Sequence, residues 1–303
     1  MRILAIYPNA DGYGRIPTGL AIIMTALENA GHELHLFDTT FLHDSNRDND
    51  ARERMKTVRD VVEIAAPDNG HGPELTSCDG MPVIVYESLS DRDVNERLLA
   101  KLKLVDPDAI VMSIVEDNYN WADGLLHVVD AYNSSIPVII GGPTPSAAPN
   151  ILIENSRVDF LVQGEGEEPV VELCDLLERD IGDFKDVRNL WYKDNGQVRS
   201  NPLRPFIDLN KVPIQNVELW DRRHFYKPYD GVMYWTGYFE MSRGCPYLCT
   251  YCVNHTIMRS LKEAGRYFRR KNPRVAVKEI LHHIEKYDLK RIVFCDDNFL
   301  LMP

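Results

Sequence analysis

The chain has 303 residues, 44% of them hydrophobic and 26% charged, with a formal net charge of −12. That length suits two domains, or one domain and part of another, and the composition is globular rather than disordered or fibrous. The acidic balance argues against a general nucleic-acid binder, no apolar run reaches the length of a membrane span, and the N-terminus turns polar too early for a signal peptide. A cytoplasmic protein is expected, whose six cysteines read as thiols or metal ligands rather than a disulfide framework.

In chain order, Arg2 to Tyr7 reads as a buried strand. Pro17 to Gly31 reads as a helix, with proline near its start and glycine just past its end. Glu33 to Asp38 is a second strand. Residues 39–105 form an insertion in which 47–65 has helical spacing with heavy charge and 68–80 reads as loop. The pattern resumes with a strand at Ala109 to Val115, a helix around Trp121 to Tyr132, a strand at Pro137 to Gly142 and a short helix. A strand at Asp159 to Gly164 and a helix at Glu167 to Glu178 follow. Strands without polar alternation are typical of a parallel sheet covered on both faces, and repeated β–α–β units predict a doubly wound, Rossmann-like α/β domain. That domain is assigned to residues 1–185, with its ligand outside the carboxyl ends of the strands.

Residues 186–228 read as a bridge: a hairpin turning at Asn195-Gly196, then an extended linker whose prolines discourage regular structure. A second unit, 229–303, opens with a strand through Gly231 to Ser242. It continues through a cysteine-rich loop to a helix at Pro273 to Asp288 and a strand at Arg291 to Asp297. The basic run Arg266 to Arg274 reads as a solvated loop and helix start.

Cys78 in its loop and Cys174 on an apolar helix face read as unpaired thiols, and Cys295 as core. His71 could join Cys78 at a metal, but two ligands are too few. Cys245, Cys249 and Cys252 differ: they form C-x3-C-x2-C at the carboxyl end of a strand, and thiolates so spaced can wrap one soft metal centre. A structural zinc site is closed by four protein ligands, whereas a cubane cluster held by three thiolates leaves one iron open. His255 could complete a C-x3-C-x2-C-x2-H zinc site, which stays as the alternative. Asp296 and Asp297, at a strand's carboxyl end, read equally as chemistry or as turn hydrogen bonding.

The segment CPYLCTYC resembles the CxxxCxΦC signature of the radical S-adenosylmethionine enzymes, with Tyr251 at the aromatic position; Arg243-Gly244 before it fits the same family. RIVFCDDNF resembles the second barrel strand of those enzymes. The resemblance implies a 4Fe–4S cluster on Cys245, Cys249 and Cys252. S-adenosylmethionine at the open iron would be reductively cleaved to a 5′-deoxyadenosyl radical. Protein side chains alone cannot supply such chemistry. An electron donor such as flavodoxin or ferredoxin is implied with it.

The first half resembles the cobalamin-binding domain of the cobalamin-dependent members, through RIPTGLAIIMTALENAGHELHLFD, DPDAIVMSIVEDNY, PVIIGGPTPSAAP and VDFLVQGEGEEPVVEL. By that resemblance Ser113, Gly141, Gly142 and Pro143 contact the nucleotide tail, and Gly164, Glu165 and Gly166 form a second turn at the cofactor. Small residues suit a bulky tail lying against backbone. The family's Asp-x-His-x-x-Gly after the first strand is missing: Asp11 is followed by Tyr13, with no histidine. Base-off cobalamin without a histidine ligand is therefore expected, the alternative being a domain that has lost cobalamin.

The resemblance implies methyl transfer to an unactivated carbon of a small-molecule substrate. Radical cyclisation or rearrangement is the alternative within the family. A non-catalytic Rossmann-like module with a Cys3His zinc site is the alternative outside it. A full (β/α) barrel needs roughly 200 residues. Only the start of a partial barrel fits after Tyr229, so this stretch alone is expected to be inactive.

Overall fold

The computed structural model describes residues 1–9, 14–43, 89, 91–229 and 232–301, with the backbone of short strands at 63–64, 76–78, 81–83 and 87–88. Five strands run parallel in the order 2-1-3-4-5: β1 (Arg2–Tyr7), β2 (Glu33–Asp38), β3 (Ala109–Ser113), β4 (Val138–Gly141) and β5 (Phe160–Val162). The sequence drives this directly. In β1, Ile3 and Ala5 join one core while Leu4 and Ile6 join the other, and none of the four is exposed. A strand buried on both faces needs helices on both.

The helices are α1 (Thr18–Asn29), α2 (Asp91–Val105), α3 (Tyr119–Asn133), α4 (Pro143–Ala147), α5 (Pro149–Leu152) and α6 (Pro169–Glu178). Leu20, Met24 and Leu27 of α1 and Val170 and Leu173 of α6 cover the face carrying Ile3, Val111 and Ile139. Val94, Leu98 and Leu102 of α2 and Leu125, Leu126 and Val129 of α3 cover the opposite face. The doubly wound α/β expectation holds, in the flavodoxin-like strand order. That order puts the topological switch between β1 and β3, where a ligand crevice opens at the carboxyl ends.

The expected hairpin forms as β6 (Leu190–Asp194) and β7 (Gln197–Ser200), turning through Asn195 at φ 49° and Gly196 at φ 77°. Two successive positive φ values are what a tight I′ turn requires. β6 pairs antiparallel with β5, so the hairpin extends the first sheet instead of bridging away from it. Burial of Leu190 and the 2.9 Å bond from Trp191 Nε1 to Gln163 Oε1 hold it there.

After an extended linker, β8 (Tyr226–Tyr229) pairs antiparallel with β9 (Val232–Phe239), so a strand forms where the linker is expected to run to residue 228. β9 ends near a two-residue strand, β10 (Ser242–Arg243). The chain then passes through the cysteine loop to α7 (Asn254–Ser260), β11 (Arg269–Arg270), α8 (Pro273–Tyr287) and β12 (Arg291–Phe294). β10 pairs with β11, and β12 lies parallel to β9. β9–α8–β12 is a parallel β–α–β unit, the repeat from which a barrel is built. Asn272 caps α8, accepting from Arg274 N at 2.9 Å, with Pro273 in the first turn and Asp288 left-handed at its end.

The two sheets share one core. Phe225 stacks on Trp235 at 4.7 Å, Tyr7 meets Trp220 edge-on at 5.5 Å, and Phe239 and Leu289 join the cluster that holds Ile3 and Met24.

The stretch 47–65, expected to be helical, lies outside the described residues except for Glu63–Ile64, which pairs with Val232–Met233. Within the expected loop, Thr76–Cys78 pairs antiparallel with Met81–Val83. The sequence Asp-Gly between them is a dipeptide that favours hairpin formation, a signal that reading the stretch as plain loop passes over. His71 and the Cys78 side chain lie outside the described residues. No helix among those described is long and apolar enough to cross a membrane.

Candidate cofactor site between the two sheets

The cysteine loop leaves the carboxyl end of β9 through Gly244. Its φ is +79°, and a Cβ there would lie 2.7 Å from both the ring and the carbonyl oxygen of Tyr267. Only glycine makes this turn without displacing backbone. Cys245 and Cys252 are half-buried and Cys249 is exposed, all three as free thiols. The loop closes on itself by Cys252 N donating to Cys249 O at 3.0 Å, and Asn254 N points to Cys252 Sγ at 3.5 Å. Tyr267 donates to Asn254 Oδ1 at 3.0 Å. Burial, then the charge of Asp297 and more weakly those of Cys252 and Cys245, push its phenol up to about 12, which keeps it a proton donor. Tyr251 is 90% exposed, and its phenol is raised by a hydrogen bond to Cys249.

The other wall is the carboxyl edge of the first sheet. Gly142, at φ +109°, approaches the end of β3 so closely that a Cβ would sit 2.8 Å from Ile114 O and 3.0 Å from Ser113 Oγ. Gly141 has only Val162 O within reach, at 3.7 Å, so the space beside it is open; Pro143 starts α4. Ser146 Oγ donates to Gly142 O at 2.7 Å and accepts from Gly164 N at 2.9 Å, tying the two glycine turns together.

The second turn has other partners. A Cβ on Gly164 would meet Leu261 at 3.1 Å, and one on Gly166 would meet Ile23 at 3.0 Å. The Glu165 carboxylate accepts from Arg243 at 2.9 Å, Arg269 at 2.7 Å and Ile207 N at 2.8 Å. Burial pushes Glu165 up, yet these two guanidinium groups hold it below the ordinary carboxylate range. Glu165 thus faces the cysteine-bearing unit, and α7 reaches back to this edge through Ser260 Oγ donating to Ser146 O at 2.9 Å.

Sequence reasoning missed Arg243, Arg269 and Lys271 as structural partners. Arg243 bonds Glu165, Glu167 (2.6 Å) and Glu240 (2.8 Å). The run Arg266 to Arg274 is not simply solvated: Lys271, 4% exposed, pairs with buried Glu279 at 2.6 Å, and Arg269 is on Glu165. Two of their four carboxylates, Glu165 and Glu167, lie far upstream in the first sheet's turn, beyond the reach of a charge-run argument.

Asp296 bonds the Ser242 hydroxyl and accepts from Met241 N at 3.2 Å, so it ties the end of β12 to β10. Cys295 follows β12 rather than lying within it and is half-buried; burial pushes its thiol up. Cys174 is fully buried and its thiol is pushed up to about 12, chiefly by burial, as suits an inert core residue. Segment 10–13, where the first-strand loop lacks histidine, lies outside the described residues.

The donor chemistry fits a soft iron–sulfur centre: three reduced thiols on one loop, framed by a glycine turn and an aromatic donor. Among the described residues no three His, Cys, Asp or Glu side chains gather tightly enough to hold a metal ion, so the structure brings neither the three cysteines nor His255 into a closed ligand set. Its Nδ1 is buried without a hydrogen-bond partner. At the carboxyl ends of β3 and β4, beside the switch point, the open space next to Gly141 fits a bulky tail laid along backbone, while the Cβ position of Gly142 is taken by Ile114 and Ser113.

Residues 75–174 match the B12 binding domain family. An uncharacterized methyltransferase of Pyrococcus horikoshii is 32% identical over 204 residues, 66% of this chain and 42% of its own length. The anaerobic magnesium-protoporphyrin IX monomethyl ester cyclase of Cereibacter sphaeroides is 24% identical over 216 residues, 70% of this chain and 34% of its own. Among solved structures, the radical S-adenosylmethionine methyltransferase TsrM from Kitasatospora setae, with tryptophan substrate and a SAM analogue bound, superposes with a TM-score of 0.63. It is 17% identical over 99% of this chain and 48% of that one. A second TsrM structure, with cobalamin and a [4Fe–4S] cluster bound, gives 0.61 at 16% identity, over 99% of this chain and 50% of that one. The chain spans less than half the length of the curated relatives it matches.

Proposed function

We propose that this chain, a member of the cobalamin-dependent radical S-adenosylmethionine enzymes, holds cobalamin at the carboxyl edge of its first sheet and a 4Fe–4S cluster on Cys245, Cys249 and Cys252. The enzyme it belongs to would transfer a methyl group to an unactivated carbon of a small molecule. The observation that carries this reading is a C-x3-C-x2-C loop whose following helix is joined, through Ser260 and Ser146, to the carboxyl edge of a B12-type sheet. When bound, the cluster supplies the electron that cleaves S-adenosylmethionine, and cobalamin supplies a methyl carrier.

The chain's own residues do the positioning. Gly141, with open space beside it, would let the cobalamin tail lie against backbone near Ser113, while Gly142 packs the turn against Ile114. Gly244 sets the entry angle of the cysteine loop, and Tyr267 holds Asn254 across it. With no histidine in the first-strand loop, the cobalamin would be base-off.

Anaerobic purification followed by iron, sulfide and zinc analysis tests this. About four iron and four sulfide per chain are expected, as for one cubane, falling to background in Cys249→Ala. One zinc with neither iron nor sulfide would overturn the reading in favour of a zinc-stapled binding module.

A further inference from the structure

We propose that the Gly164–Glu167 turn of the first sheet is the clamp that fixes the cysteine loop, with Arg243 as its positioning residue. This rests on reading Cys245, Cys249 and Cys252 as the cluster ligands. Arg243 stands two residues before Cys245, and three of its N–H groups are committed. Nη1 reaches Glu165 at 2.9 Å, Nη2 reaches Glu167 at 2.6 Å and Nε reaches Glu240 at 2.8 Å, with the side chain 15% exposed.

The opposite residue in the β10–β11 pair is Arg269. Two guanidinium groups directly across a strand pair repel. Glu165 takes both, at 2.9 and 2.7 Å, so the pair is compensated only while the turn is in place. The far end of the loop is held by the same turn. Leu261 is 4% exposed and seats where a Cβ on Gly164 would stand, and Ser260 bonds Ser146, which itself holds Gly164 N.

Between these anchors the loop has little packing of its own: Tyr247, Leu248 and Tyr251 are all exposed. A segment fixed at both ends and loosely packed between them takes its geometry from the anchors. Glu165, assigned from sequence to the cofactor turn, is thereby a residue of the cluster loop's support.

The test uses Glu165→Gln, Glu167→Gln and Arg243→Lys, with Glu218→Gln, on the exposed pair with Lys286, as control. Hydrogen exchange across 244–261 is read without any cofactor. It is expected to accelerate on the order of tenfold or more in Glu165→Gln and Arg243→Lys, with β1 and β3 unchanged. After cluster reconstitution, the same variants are expected to release iron to a ferrous chelator several-fold faster than wild type. Exchange and iron release at wild-type rates would overturn the clamp. If Glu165→Gln loses its fold, Glu167→Gln, which removes one contact, decides by the same readouts. Wild type that takes up no cluster, with exchange still responsive, sinks the cluster reading and leaves the clamp standing as a loop support.

Discussion

At Gly244 the main chain turns left-handed directly against Tyr267, immediately before Cys245. Alanine would add the cost of a non-glycine residue at φ +79° to the overlap at 2.7 Å with a ring atom and a carbonyl oxygen. Strain of the first kind and overpacking of the second together suggest a loss of about 2–4 kcal/mol. Gly244→Ala is therefore expected to lower the urea midpoint with an unchanged slope of stability on denaturant. Gly182, in an open turn with nothing within 4 Å, is the matched control; Gly182→Ala should leave the midpoint in place. Equal behaviour of the two variants would remove the steric account of Gly244. At this scale the cysteines and the glycine pair at 141–142 were visible in the sequence because their chemistry is local. Arg243 was visible only as a neighbour of the motif, because what defines it is three carboxylates, two of them nearly 80 residues away.

Among the elements, α8 carries a titrating group that the sequence pattern hid. His283 is 3% exposed, with Nδ1 3.0 Å from Glu279 O and Nε2 3.0 Å from Gln215 O. Both partners are acceptors, so a neutral ring satisfies one and a protonated ring would satisfy both. Burial decides against the charge and holds the pKa below the ordinary histidine value; neighbouring His282 adds to this while Glu279 opposes it. The rings of Phe239 and Tyr287 complete the surroundings. The folded state therefore binds fewer protons than the unfolded chain near this group. Its contribution to stability is full above pH 6.5 and is lost as pH falls from there towards the folded pKa. Urea midpoints between pH 7.5 and 5.5 should fall in wild type and fall less in His283→Gln, the difference not exceeding about 1.4 kcal/mol per pH unit. Identical slopes would exclude His283 as a contributor. The helix itself was legible from its period, its cap and its leading proline. Strand β8 was not, since Pro228 counts against a strand unless it sits at an edge, and only tertiary pairing with β9 reveals that it does.

For the molecule as a whole, the two sheets were legible and their union was not. Apolar runs predict strands buried on both faces, but no periodicity says that Phe239 of β9 and Ile3 of β1 will lie in one continuous cluster. The bridge expected from prolines at 202, 205 and 213 is instead a packed strap, with Leu209 buried beside Ile22 and Asn216 N donating to Thr25 Oγ1 at 2.7 Å. A shared core of this kind couples the units, because neither can unfold without exposing the other's apolar surface. Phe239 is 1% exposed and meets the His283 ring edge-on at 5.3 Å. Phe239→Ala is expected to cost about 3–5 kcal/mol and to move one calorimetric transition as a whole, with van't Hoff and calorimetric enthalpies still in agreement. If the units were independent, the same substitution would split the trace, leaving the transition of the first sheet where it stood. The shared core and the Arg243 clamp meet at the same junction. A split trace would therefore also deprive the cysteine loop of the rigid backing that the first sheet gives it.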